Sequence, residues 1–259
     1  MVGTQAADRA NRIAVLIDRN VRQAVKLRAY FCRGAYSGHD VRTRFDQSKA
    51  APGFNTILDS LYFEFVLTMA RLYDNPDDQR MAEKTASIPV LFALLSAPET
   101  RAELQRRSVE RKTPKDLRDQ HGQPAPKEFV AELQKDAVRA AEAETNEIEA
   151  LNTEYGTLKG SHLICRIRKA RNEFLAHTAL DPSRNNLADY GNAEELLGKT
   201  IPLVTRLQLA VRSCHTSLAS ESTIWEEHAD IFWRALCCGT NMEPTTCRTT
   251  TTCPADGLN

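Results

Sequence analysis

Apolar residues recur at three- and four-residue spacing along almost the whole chain, and this confines it to helical architectures. Between Asp8 and Arg33 they stand at Ile13, Leu16, Ile17, Val21, Ala24, Leu27 and Phe31, the spacing that lines one face of an α-helix. Gly34 and Gly38 are expected to end this helix. A second run, from Phe54 to Asp74, sets Leu58, Leu61, Tyr62, Phe65, Met69 and Leu72 on one stripe, and Asn75-Pro76 stops it, because proline disfavours the helical conformation of the residue before it. No segment of useful length shows the period of two that a half-buried strand needs. The prediction is an all-α helical bundle, since one-sided helices bury their stripes against each other.

The rest of the chain fits that frame. Residues Lys84 to Glu110 predict a helix interrupted near Pro89 and Pro98. The stretch 111–126, RKTPKDLRDQHGQPAP, has three prolines among dense charge and reads as a surface loop or insertion. A long charged helix begins at Lys127, with the narrow seam Phe129, Leu133, Ala137, Ile148, Leu151 and Tyr155. Gly156 and Gly160 predict a break before a helix from Leu158 to Thr178, which stops at Asp181-Pro182-Ser183. A further helix is expected over Ala193 to Leu218, then a short segment, Thr223 to Cys237, packed through Trp225, Ile231, Phe232 and Trp233. Residues 1–238 are thus expected to form a single helical domain. Residues 239–259 are Thr-rich and poor in large apolar groups, so a disordered tail is expected there.

Charge limits the function. Lys plus Arg equals Asp plus Glu, 34 each, so the chain does not coat nucleic acid through bulk charge. Any action on RNA must rest on local basic groups, and Lys159, Arg166, Arg168, Lys169 and Arg171 form such a cluster. A solvated basic helix face explains the same residues equally well, Arg171 excepted. The seven cysteines form an odd set without CxxC pairs, the pattern of reduced thiols. The first twenty residues hold no apolar leader, and no apolar run approaches the roughly 18 residues that span a bilayer. A cytoplasmic protein with no membrane contact is expected. There is no Gly-rich phosphate loop, GxSxG elbow, HExxH or acidic cluster for a metal pair, and neither metal nor cofactor is expected.

The chemistry concentrates at Arg171-Asn172-Glu173-Phe174-Leu175-Ala176-His177. Arg171 lies on the edge of the stripe Leu163, Ile164, Ile167, Phe174, and a half-buried guanidinium needs an anionic partner. A phosphate is one such partner, and a histidine nearby can move protons on it. A histidine at a helix C-terminus also suits the helix dipole, so spacing alone leaves both readings of His177 open. On one continuous helix six residues advance about 9 Å and turn about 600°. Arg171 and His177 would then stand about 120° apart. Either the helix frays near Ala176, or the two residues face a shared cleft. Beside the second stripe, Glu64, Thr68 and Arg71 fall on one side of their helix. They read as a structural ion pair or network in a polar seam between packed helices, with direct catalysis the alternative.

The Arg171-Asn172…His177 motif, and Leu61-Tyr62-Phe63-Glu64 running into Arg71-Leu72-Tyr73-Asp74, resemble the HEPN superfamily, and within it the AbiU-type branch named after phage abortive infection. The resemblance covers roughly residues 8–220. It implies an up-and-down four-helix bundle with additional helices, and a metal-independent endoribonuclease. Arg171, Asn172 and His177 would be catalytic. Glu64, Arg71, Arg168 and Lys169 are candidate substrate contacts. It further implies RNA as partner, a homodimer with the motif near the interface, and a role in antiviral defence or a toxin–antitoxin system with a cognate antitoxin protein. The alternatives are a non-catalytic HEPN module that binds RNA, a nucleotide or a partner protein, and a structural adaptor in which Arg171 pairs with Glu64 or another internal acid.

Overall fold

The computed structural model describes residues 2–36, 38–76, 79–113, 123–172 and 190–238. Among them are ten helices and no β-strand: α1 (Val2–Tyr36), α2 (Gly38–Asp46), α3 (Ala51–Leu72), α4 (Gln79–Lys84), α5 (Ile88–Leu95), α6 (Pro98–Lys112), α7 (Lys127–Lys159), α8 (His162–Ala170), α9 (Tyr190–Arg212) and α10 (Leu218–Cys238). The all-α prediction holds. No described helix is long and apolar enough to cross a membrane. The expected tail, 239–259, and positions 114–122 of the expected loop lie outside the described residues.

The helices gather into two compact units, the first made of residues 1–19, 72–161 and 202–216, the second of 20–71, 162–201 and 217–259. In the first unit α6 packs along α7 and against α5. Its core includes Ile13, Ile17, Ile88, Leu91, Leu95, Leu151 and Leu207, with Phe92 stacked on Tyr155 at 4.7 Å. Pro89 and Pro98 sit in the first turns of α5 and α6, where the missing N–H has no helical partner to lose. The predicted interruptions therefore become helix starts. Gln208 of α9 is fully buried and donates its amide to the Ala14 carbonyl of α1 at 2.6 Å, which satisfies two polar groups that burial would otherwise penalise.

In the second unit α2 packs on α10, and Val41, Phe54, Leu58 and Trp233 form one cluster. The indole N–H of Trp233 donates to the Tyr30 carbonyl at 2.8 Å. This pairing explains one correction. α1 runs through Gly34 to Tyr36 instead of ending at Gly34, and the missing side chain makes room for Trp233 and Leu58. Several predicted apolar positions also face outward: Leu16 on α1, Phe129 on α7, and Ile231 and Phe232 on α10. Gly156 lies inside α7 and breaks nothing, while Gly160 caps it.

Candidate active site

α8 exists because Leu163, Ile164, Ile167 and Ala170 share one face, and all four are buried. The expected helix from Leu158 to Thr178 is corrected at its start: Leu158 and Lys159 close α7, Gly160 and Ser161 turn the chain, and α8 begins at His162. Lys159 therefore does not share a helix with Arg166, Arg168, Lys169 and Arg171. After Ala170 the backbone passes into a π-helical turn at Arg171 and Asn172. Such wider turns occur mostly as single turns and often at functional sites. The expected angle between Arg171 and His177 lies outside the described residues, which end at Asn172.

Arg171 is half-buried, and its Nε donates to Oδ1 of the exposed Asn172 at 3.0 Å. Adjacent residues of a regular α-helix point about 100° apart, so this bond fits the altered turn. It holds the guanidinium plane from one edge. His177, with Glu173 and the rest of the motif, lies outside the described residues. Arg168 and Lys169 are half-buried on α8, and Arg166 is exposed. Arg166 donates through Nη1 to Oδ1 of Asn192, in the first turn of α9, at 3.0 Å.

Glu64 and Arg71 form the ion pair expected of them, with Arg71 Nη1 3.0 Å from Glu64 Oε1. The predicted seam between packed helices is corrected: both side chains lie at the surface, 43% and 58% exposed. Thr68 is buried. The boundary between core and solvent runs between these residues, so they do not make one polar line. The acid proposed as an internal partner of Arg171 is thus bound to Arg71.

No local pattern marks in advance a polar and aromatic constellation in the same unit. Arg28 of α1 is clamped between Glu194 of α9 and Glu226 of α10, each at 2.7 Å. Burial works against its charge, but the hydrogen bond and negative charge of Glu194 help to outweigh burial and raise its pKa further. Arg33 faces Glu226 and Asp230 at 3.7 and 3.6 Å. Tyr190 shares a hydrogen bond with the Cys32 sulfur at 2.6 Å, and burial raises its phenol pKa, with Cys32 adding to the effect. Its ring packs 4.8 Å from Phe31 and 5.8 Å from Tyr36. Phe31, Tyr36 and Tyr62 were visible as aromatics, but only the fold brings α1, α3 and α9 together around them.

Comparison with known proteins gives one positive result. A family model described as AbiU2, of the HEPN type, matches residues 12–231. No curated protein and no solved structure matches the chain.

Proposed function

This chain belongs to the AbiU2 family of HEPN domains, and on that premise we propose that it is a metal-independent endoribonuclease of a prokaryotic defence or toxin–antitoxin system. What carries the reading is the family match across residues 12–231, which contains Arg171-Asn172-x4-His177 with Arg171 at the end of a buried-face helix. RNA brings its own nucleophile, the 2′-hydroxyl. That oxygen attacks the adjacent phosphorus, the P–O5′ bond breaks, and the products are a 2′,3′-cyclic phosphate and a 5′-hydroxyl. The step needs a base for the 2′-proton, an acid for the leaving 5′-oxygen, and a cation for the equatorial oxygens.

Histidine titrates in the range where both proton transfers are feasible, so His177 takes that role. Arg171 suits the non-bridging oxygens, since a guanidinium fork matches phosphate geometry. Asn172, already bonded to the Arg171 Nε, orients the guanidinium. Arg168 and Lys169 follow as contacts to flanking phosphates. The exposed Glu64–Arg71 pair is a lesser candidate for substrate contact, because each charge is already answered by the other.

A single motif offers one histidine for two proton transfers. We infer a homodimer with the motif near the two-fold axis, which would assemble two arginines and two histidines. The unit that holds α8 has an apolar face suited to self-association: Ile224 and Ile231 stand seven residues apart on α10 with Phe232 and Leu236 beside them, all exposed. Glu227 and Arg234, also exposed and seven apart, would face each other crosswise in an antiparallel pairing of two copies. A cytoplasmic setting and an antitoxin partner belong to the same proposal.

A non-catalytic HEPN module that binds RNA, a nucleotide or a partner protein is favoured by one observation, the formal net charge of zero. One experiment separates the two: purified protein is incubated with mixed RNA in EDTA, beside His177→Ala. Cleavage with 2′,3′-cyclic ends that His177→Ala loses is the expected result. Cleavage abolished by EDTA, or equal cleavage of DNA, would sink the metal-independent ribonuclease reading, and RNA bound but never cut would favour the non-catalytic module.

A further inference from the structure

Cations recur on α1 every seven residues, at Arg12, Arg19, Lys26 and Arg33. Seven residues advance a helix about 10.5 Å and fall about 20° short of two full turns. The four therefore make one slowly drifting row along a single helix.

In the second unit α10 answers that row. Lys26 Nζ lies 4.8 Å from the centroid of the Trp225 ring, and Arg33 faces Glu226 and Asp230 at 3.7 and 3.6 Å. Arg22, at the flank of the row, pairs with Glu221. Acids and an aromatic ring from one amphipathic helix thus cover this half.

The other half lies in the first unit. Arg12 and Arg19 are exposed, and among the described residues neither pairs with a carboxylate. Asp8, one turn before Arg12, is taken by Arg107 of α6. Two exposed arginines alone would make an ordinary solvated face. Between them, however, stand Val15 and Leu16, 42% and 44% exposed, where a helix facing only water carries polar groups.

We propose that Arg12, Val15, Leu16 and Arg19 dock an acidic amphipathic helix of a partner protein, one with the chemistry that α10 brings to the rest of the row. Helical periodicity sets the partner's pattern. Carboxylates seven residues apart on a helix stand about 10.5 Å apart, the spacing of Arg12 and Arg19. Apolar residues three and four positions after the first acid fall between the carboxylates, over Val15 and Leu16. Apolar contact then supplies affinity, while the ion pairs fix register and reject basic partners. A phosphodiester backbone matches the charges but offers no side chain to Val15 and Leu16. The face uses no residue of α10, and it does not rest on the ribonuclease reading.

The test uses the full-length protein and a labelled helical peptide of about three heptads, with glutamates seven apart and leucines three and four positions after each. A scrambled peptide of the same composition is the control. By fluorescence anisotropy the patterned peptide should bind more tightly than the scrambled one. Arg12→Gln with Arg19→Gln should weaken it about fivefold at low salt, the worth of two exposed ion pairs. Leu16→Ser should weaken it as well. Arg12→Glu with Arg19→Glu should lose this peptide and take up its counterpart with lysine for glutamate. All three positions are exposed, so the variants keep their fold, which a thermal melt checks. Equal binding of the patterned and scrambled peptides overturns the proposal, as does charge reversal without an exchange of preference. Single-stranded RNA or anionic phospholipid vesicles that bind in an Arg12- and Arg19-dependent way, with the peptide never bound, also overturn it and assign the face to nucleic acid or lipid. Charge reversal that changes the oligomeric state without peptide gives the face to a second copy and overturns it too.

Discussion

Trp233 lies so close to Gly34 that a β carbon on Gly34 would stand 2.7 Å from the indole Cζ2 and 2.6 Å from Leu58 Cδ2. Two effects then oppose each other in Gly34→Ala. Alanine gains about 1 kcal/mol over glycine inside a helix, but overpacking a filled core typically costs about 1–3 kcal/mol. Trp233 is 1% exposed and tied to the Tyr30 carbonyl, so it cannot swing aside cheaply, and the clash wins. Urea unfolding should show Gly34→Ala less stable than the parent. Gly156→Ala, in α7 with nothing within 4 Å of the new carbon, should be more stable by up to about 1 kcal/mol. Equal gains at both sites would show that the Trp233 packing is wrong.

These two glycines also show what the sequence could and could not tell. Both stand in strongly periodic runs, and both looked like breaks, because glycine weakens a helix wherever it stands. Whether it ends one depends on what approaches it in three dimensions, and no local pattern contains that. The all-α class was legible because Ile13 to Phe31 and Leu58 to Leu72 repeat at helical spacing. The outward-facing Ile231 and Phe232 were misread for the converse reason: periodicity marks an apolar face but does not say what covers it. At the site, Glu64 and Arg71 could be paired from a spacing of seven, which two helical turns nearly satisfy. The meeting of Cys32, Tyr190 and Phe31 joins residues about 160 positions apart and left no local trace.

Acid should weaken the first unit through Glu103. Hydrogen bonds from Arg106 and then Arg107 lower its carboxyl pKa to about 2, well below the usual carboxylate range near 4.3. A depressed folded-state pKa contributes stability that is complete above the unfolded pKa and is lost as pH falls towards the folded one. The loss attributable to Glu103 therefore lies between about pH 5 and pH 2. Glu103→Gln should flatten that part of the stability profile while leaving the neutral-to-alkaline part parallel to the parent. An unchanged slope between pH 5 and pH 3 would show that the pair is too well screened to matter.

The homodimer is tested at α10. Ile231 is 67% exposed, so Ile231→Asp should cost the isolated chain little, as exposed substitutions usually do. In a dimer sealed by this face the same aspartate would bury a charge. Sedimentation at micromolar concentration should show a dimer for the parent and a monomer for Ile231→Asp, and RNA cleavage should fall with dimer content. The interface should bury more than roughly 1,000 Å² in total, as specific interfaces do. A monomeric parent that cuts RNA at full rate refutes the shared site.

The last test separates roles within the motif. His177→Ala should remove turnover, by about 10²–10⁴-fold for a lost general acid–base, while RNA affinity stays nearly intact. A proton shuttle contributes mainly in the transition state. Arg171→Ala should weaken both, since a guanidinium that pairs with phosphate acts in the ground state as well. Asn172→Ala releases the Nε of Arg171, so it should mimic Arg171→Ala in weaker form and add little to it in the double variant. Glu64→Ala is the control for a surface ion pair: with both partners largely exposed it should cost less than about 1 kcal/mol of stability. Every variant needs a thermal melt beside its rate, because Arg171 is half-buried and its stem can also be structural. If His177→Ala unfolds the protein while Arg171→Ala leaves cleavage untouched, the motif serves packing and the ribonuclease assignment falls.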